Sequence, residues 1–183
     1  MYNMKLALIG DGAVGKTALR QRYLGQGFKS TYISTVGADF SVIQELVRGE
    51  LFRYQIWDLA GQPKFGKVRS LYYSGTKGFL LVYDVIRPST YENVLNWVQE
   101  IRSYLPKNGV PSVLVGNKTD LRDTGDPSHI TTEMGVKLVD LVANELNMEN
   151  NQVLFVETSA KTGYNVTKTF HQLGEMIHDQ FIS

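Results

Sequence analysis

The sequence predicts a mixed, mainly parallel α/β sheet with helices on both faces, and three observations lead there. Short apolar runs rich in β-branched and aromatic residues alternate with amphipathic helical patterns. The first run, Leu6-Ala7-Leu8-Ile9, is continuously apolar, as in strands buried on both faces. Only Arg48-Gly49-Glu50 separates the second run from the third, a turn that implies one antiparallel hairpin in an otherwise parallel sheet. Six strands and five helices are expected, in one domain spanning 1–183.

In chain order, the first strand is expected over Lys5 to Ile9 and the first helix over Gly15 to Leu24. The hairpin strands are Phe40 to Val47 and Leu51 to Asp58, and Gly78 to Asp84 and Ser112 to Gly116 are short central strands. Between those two, Ser89 and Glu92 have the spacing of a capping box. The helix it opens carries Val94, Trp97, Val98, Ile101 and Leu105 on one face until Pro106 stops it. Thr132 to Leu146 reads as the next helix, Val153 to Glu157 as the last strand, and Asn165 to Phe181 as the last helix. The least patterned stretches are Gln26 to Ala38, Gly61 to Arg69 and Arg122 to Ser128, and such loops on a rigid scaffold are where function tends to sit.

Composition narrows the classes. Nineteen Lys and Arg against 18 Asp and Glu leave a net charge of +1, so no electrostatic footprint points to nucleic acid. With 43% hydrophobic residues the chain has a full core, which argues against disorder. The absence of cysteine removes disulfides, thiolate metal sites, cysteine nucleophiles and every cysteine-linked lipid from the chain as given. Apolar runs such as Gly78 to Tyr83 are far too short to span a bilayer. A cytoplasmic protein is expected.

Gly10-Asp11-Gly12-Ala13-Val14-Gly15-Lys16-Thr17 matches GxxxxGK[ST] between a strand and a helix, the context that pattern requires. Glycines let backbone N–H groups curl around an anion, and the helix N-terminus adds partial positive charge. Lys16 reaches outer phosphates, and the Thr17 hydroxyl is a hard ligand suited to Mg²⁺. Gly10, Gly12 and Gly15 also spell the dinucleotide fingerprint GxGxxG. That reading needs an acid at the end of the second strand, whereas the nearest candidate, Asp39, sits at the start of a strand, and it leaves Lys16 and Thr17 without a role.

Further along, Asp58 ends a strand where a carboxylate would hold the metal's water shell. Gly61 offers an amide to a terminal phosphate, and Gln62 directly after it can orient a water. Asn117-Lys118-Thr119-Asp120 follows another strand at the edge where ligands bind in open α/β sheets. The Asp120 carboxylate can accept from two adjacent donors, a pair that guanine offers and adenine does not. Asn117 would tie the phosphate loop to the base loop, and the Lys118 stem could lie along the base. In Ser159-Ala160-Lys161, the Ala160 amide would face the guanine O6.

These five segments, in this order over essentially the whole chain, resemble the Ras superfamily of small GTPases, and within it the Rab branch. Ile33-Ser34-Thr35-Val36-Gly37-Ala38-Asp39-Phe40 is similar to the first switch of that branch. Trp57-Asp58-Leu59-Ala60-Gly61-Gln62 is similar to the second, and Leu71-Tyr72-Tyr73-Ser74-Gly75 to the segment after it. The resemblance implies a P-loop NTPase fold of the small G-protein type, with GTP or GDP and Mg²⁺ as ligands. It implies that Thr35 joins Thr17 and Asp58 around the metal, that Phe28 packs on guanine, and that Ala18 and Leu121 complete the nucleotide contacts. Lys16, Thr35, Gly61 and Gln62 would carry hydrolysis, and Phe40, Trp57 and Tyr72 match the branch's effector triad. Effectors, exchange factors and GTPase-activating proteins would act through the switches of a monomer.

The chain departs from the branch in three places. Pro63-Lys64 stands where Glu-Arg is usual, which stiffens the second switch and removes an acid often used by exchange factors. Arg122 to Ser128 is a few residues longer than in Rab proteins. The sequence closes at Ser183 without prenylatable cysteines, and Tyr2 excludes a myristoyl anchor, so membrane association would come through partners or a missing tail. The expected function is a GTP-hydrolysing switch. Intrinsic turnover should be slow, because Tyr32, Ile33 and Ser34 before Thr35 include no arginine. A constitutively GTP-bound scaffold is the alternative from another class, against which Gln62 argues, and Asn117 to Asp120 argue against a small-metabolite kinase.

Overall fold

A computed structural model describes residues 1–28, 34–148 and 152–182. Its sheet has six strands: β1 (Tyr2–Ile9), β2 (Ala38–Val47), β3 (Glu50–Leu59), β4 (Gly78–Asp84), β5 (Ser112–Asn117) and β6 (Val153–Thr158). They lie in the order β2-β3-β1-β4-β5-β6, with β2 antiparallel to β3 and every other pair parallel. The helices among the described residues are α1 (Lys16–Tyr23), α2 (Gly66–Tyr73), α3 (Pro88–Glu92), α4 (Val94–Arg102), α5 (Thr132–Leu146) and α6 (Val166–Phe181). Only Asn93 separates α3 from α4, with near-helical φ −79° and ψ −6°, so the two form one broken helix and the helical units number five. This is the mixed α/β fold the sequence predicts.

The alternation of side chains along the strands divides the core in two. Leu6, Leu8, Leu80 and Val82 face α1 and α6, where they meet Leu19, Phe170, Leu173 and Ile177. Ala7, Ile9, Leu81 and Tyr83 face the other way, against Trp97, Val98 and Ile101 of α4 and Leu138 and Val142 of α5. Both β4 and β5 are buried along their whole length, which is why they read as continuous apolar runs. No helix of the described residues is long and apolar enough to cross a membrane.

Four local expectations are corrected. The hairpin turn has two residues, not three: Val47 pairs with Glu50, and Arg48 and Gly49 have φ of 49° and 86°. Positive φ at both positions gives the turn the twist of the flanking strands, and glycine holds the second at no steric cost. The capping box at Ser89 and Glu92 does not form, because the helix starts at Pro88, a favoured first helical residue. Thr90 takes the hydroxyl's part there, accepting from the Asp84 amide at 2.9 Å and donating to the Arg87 carbonyl at 2.8 Å. Helix α4 ends at Arg102 and tightens through Leu105 by bonds three residues back, since residues preceding a proline avoid the helical region. Strand β1 begins at Tyr2, beyond the apolar run, because Tyr2 and Asn3 are paired with Phe52 and Arg53 of β3.

Candidate functional site

All five segments singled out in the sequence converge at the carboxyl ends of β1, β3, β5 and β6, where the loops of a doubly wound sheet form a crevice. The loop from β1 to α1 leaves through Gly10 and enters the helix through Gly15, whose φ of 103° is left-handed. A side chain at Gly15 would also collide with the Asn117 carboxamide, 2.3 Å from the position of a Cβ. Ala13 adopts φ 63° without being glycine. The Lys16 ammonium is buried inside the loop and donates to the carbonyls of Gly10 and Asp11, both at 2.7 Å. Burial pushes its pKa down to about 8, opposed by the nearby Asp58 and Asp11 carboxylates. A buried cation with only carbonyl partners is poised to take an anion.

Thr17, Thr35 and Asp58 meet beside it. The Thr17 and Thr35 hydroxyls are 3.1 Å apart. Both point to Asp58 Oδ2, Thr17 in a short hydrogen bond and Thr35 at 3.3 Å. The other oxygen, Asp58 Oδ1, is buried without a partner, and burial raises this carboxyl above the usual range despite the Thr17 hydroxyl and the Lys16 charge. Two hydroxyls and a half-satisfied carboxylate are hard oxygen donors, so the set fits a Mg²⁺ ion.

On the far side of the loop, Asn117 Nδ2 donates to the Val14 carbonyl at 2.8 Å. Its Oδ1 accepts from the Thr158 hydroxyl at 3.0 Å and from the Ala160 amide at 3.2 Å. The Ala160 amide, which the sequence offers to a base oxygen, is thus engaged by Asn117 in this conformation. Asp120 Oδ1 accepts from the Ser159 hydroxyl at 2.6 Å, with Lys161 Nζ 4.0 Å from Oδ2. Lys118, left-handed at φ 71°, reaches the Asp84 carboxylate at 2.6 Å. Phe28 and Leu121 are exposed, and Ala18 lies half-buried in α1. Asp39, the candidate of the dinucleotide reading, is paired with Arg20 of α1 at 2.5 Å and lies in β2.

Several residues that sequence reasoning passed over brace this site. The Arg69 guanidinium donates to the carbonyls of Ala60 at 2.9 Å and Gln62 at 2.8 Å, and holds Glu100 of α4 through two bonds of 2.8 Å. It also lies over the Trp97 ring, 4.4 Å from its centre. The available signal was its place four residues before the buried Tyr73, on the inward face of α2. Arg22 of α1 donates to the Ala160 carbonyl at 2.9 Å, supporting the Ser159 to Lys161 loop from behind. Gly61 packs against the phosphate loop, and Gln62 Nε2 donates to the Ser34 hydroxyl while its Oε1 is buried without a partner. A cleft of about 620 Å³ opens between these parts, lined among others by Asp11, Gly61, Gln62, Arg69, Arg87 and Trp97.

The three aromatic residues form a row. Phe40 and Trp57 stack with centres 4.8 Å apart, and Trp57 and Tyr72 are also 4.8 Å apart, tilted by 36°. Phe40 is 51% exposed, whereas Trp57 and Tyr72 are half-buried against the core, so the row runs from the surface inward, with Val36 and Leu71 exposed in the segments on either side. Of the first-switch segment, Ile33 lies outside the described residues, as does Tyr32 before it.

The Ras family model matches residues 5–179. The chain belongs to the Ras family. Rab proteins are among the relatives of this small GTPase. It is 37% identical over 179 residues to the Ras-related protein Rab-1A of Dictyostelium discoideum, covering 98% of this chain and 82% of that one. Identity to Ras-related protein Rab-13 of Mesocricetus auratus is 38% over 173 residues, 94% of this chain and 79% of the relative. To Ras-related protein Rab-8A of Pongo abelii it is 36% over 176 residues, 96% and 79% respectively. The fold is accordingly the P-loop small G-protein fold, and the chain is a Rab-like small GTPase.

Proposed function

We propose that this small GTPase binds GTP and GDP with Mg²⁺, hydrolyses GTP to GDP and phosphate, and signals the difference through its two switch segments. The observation that carries the reading is the convergence of Thr17, Thr35 and Asp58 beside the buried Lys16 ammonium. When bound there, Mg²⁺ neutralises charge that develops on the phosphates during transfer. Lys16 and the loop amides hold the phosphate oxygens, a task of positioning and charge rather than covalent chemistry. Gln62 has its carboxamide nitrogen on Ser34 and its oxygen free, so it can accept a hydrogen bond from an attacking water and set its direction. Asp120 accepts from the two donors of guanine, and Phe28 covers the base. In the GTP form Thr35 and the Gly61 amide would be held by the terminal phosphate, and its loss would release both segments.

Nucleotide freed from denatured protein and separated by chromatography tests the first part: guanine nucleotides are expected, and adenine nucleotides would sink the reading. Single-turnover hydrolysis with Mg²⁺ and with excess chelator tests the second, and a rate indifferent to chelation would remove the metal. Gln62→Leu is expected to lower the hydrolysis rate by about a hundredfold while nucleotide affinity stays within about twofold, because the side chain acts on water and not on the ground-state phosphates. An unchanged rate would take Gln62 out of the mechanism.

The half-exposed row of Phe40, Trp57 and Tyr72 supports an output surface for GTP-selective effectors. The similarity to Rab proteins supports a place for it in membrane traffic, with peripheral attachment through partners or a tail beyond the given sequence. Phe40→Ala should weaken such a partner by on the order of 2 kcal/mol, since truncating an aromatic anchor removes a binding hot spot. Calorimetry against a partner captured on GTP-loaded protein would measure it, and wild-type affinity in the variant would exclude Phe40 from the surface.

A further inference from the structure

We propose that Arg87, at the end of the loop after β4, is a positioning residue that fixes the Gly12–Ala13 peptide with its N–H turned toward the outer phosphates. The inference rests on the reading above that this loop holds GTP and GDP. It concerns a residue outside all five motifs.

The geometry is specific. Arg87 Nη2 donates to the Gly12 carbonyl at 2.6 Å, 75 residues away in sequence. The peptide bonds of the described residues are all trans, so with the Gly12 carbonyl held toward Arg87 the Ala13 N–H points the opposite way within the same peptide plane. Gly10 and Asp11 turn their carbonyls to Lys16, and Gly12 alone in this stretch turns its carbonyl to Arg87. The orientation matters because Ala13 sits at φ 63°, a left-handed conformation that is costly for a non-glycine residue and needs outside support. A charge-assisted hydrogen bond supplies that support.

Arg87 is itself braced. Its amide donates to the Asp84 carbonyl at 3.0 Å, and its own carbonyl accepts from both the amide and the hydroxyl of Thr90, at 3.0 and 2.8 Å. Pro88 follows and fixes the entry to α3. Next to this contact, Asn93 Nδ2 and Trp97 Nε1 donate to Asp11 Oδ1 at 2.5 and 2.7 Å. The outer side of the phosphate loop is therefore clamped at two consecutive residues by side chains from 87–97. The clamp acts near Gly61, at the end of the loop away from Val14 and Asn117. Outer phosphates feel it, and the one nearest the base does not.

That asymmetry gives the test. Dissociation of fluorescent GDP and GTP, affinity for GMP, single-turnover hydrolysis and thermal melting are measured for wild type and for Arg87→Met, which keeps the stem and removes every donor. Dissociation of GDP and GTP is expected to quicken about tenfold or more, the usual worth of a hydrogen bond to a charged group, while GMP affinity stays within about twofold. Arg87→Lys, which can still place a charged donor on the Gly12 carbonyl, should return dissociation to within about threefold of wild type. If Arg87→Met does not fold, Arg87→Gln, too short to span to Gly12, is read by the same criteria. Wild-type dissociation in the variant overturns the proposal, as does an equal loss for GMP or a lower melting temperature with unchanged rates. Wild-type protein that binds no guanine nucleotide would instead bring down the proposed function, and this inference with it.

Discussion

Gly61→Ala is expected to leave nucleotide bound and hydrolysis almost stopped. A Cβ at this position would stand 2.3 Å from the Asp11 carbonyl carbon, 2.4 Å from the Gly12 nitrogen and 2.5 Å from the Gly10 oxygen. All three are backbone atoms of a loop fixed by Lys16, Asn117, Arg87 and Trp97, so no flexible side chain can yield. Reaching ordinary contact requires the second switch to retreat by about 1 Å from the phosphate loop, and Gln62 travels with it. A displacement of that size in a positioned group costs on the order of a hundredfold in rate. Single-turnover hydrolysis reads the loss directly, and emission from Trp57, which directly precedes Asp58, reports whether the switch still closes. A variant that hydrolyses GTP at the wild-type rate would show that the close approach of Gly61 has no part in the reaction.

Asp120→Asn should change which base is preferred. Ser159 already donates to Oδ1 of the carboxylate, which fixes its rotation and leaves Oδ2 for a ligand. In the asparagine variant the remaining oxygen satisfies Ser159, and an NH₂ group then faces the two N–H donors of guanine. A buried donor against a donor costs on the order of 3 kcal/mol, roughly a hundredfold in affinity. Xanthine carries a carbonyl in place of the 2-amino group and can accept from that NH₂, so XTP should gain where GTP loses. Competition between GTP and XTP for the same protein measures the exchange. Retention of the wild-type preference for GTP would remove Asp120 from base recognition.

The parts of the site that were legible in the sequence are those where one residue type at one spacing has a single physical use. Lys16 and Thr17 after a glycine loop, Asp58 at a strand end, and Asp120 after another strand each announce their chemistry locally. The strands were legible too, because β4 and β5 are buried on both faces and admit only apolar runs. What escaped depends on contacts that sequence distance hides. Arg69 closes a stretch without sequence pattern, and only the fold sets it against Glu100 and Trp97, while Arg87 lies outside every motif and meets Gly12 only in the fold. The capping box at Ser89 failed for a related reason: Pro88 already starts the helix, and the buried hydroxyl of Thr90 is closer to the free backbone groups. Local patterns state what a residue can do, whereas a brace is defined by what it reaches.

The grip of Arg69 has a mechanical consequence. One guanidinium fastens two carbonyls of the second switch, Ala60 and Gln62, to Glu100, and Glu100 also accepts a short bond from the Tyr73 hydroxyl at the other end of α2. Both ends of the segment are thus pinned to the same carboxylate on α4, while Pro63, Lys64, Lys67 and Val68 between them are exposed. Movement started at Gly61 cannot translate α2 as a whole. A movement there would have to turn the segment about Glu100, as a hasp turns on its pin, with Val68 and Leu71 on the exposed arm. The exposed stretch that carries Val68 and Leu71 is thereby coupled through one carboxylate to the backbone beside Gly61.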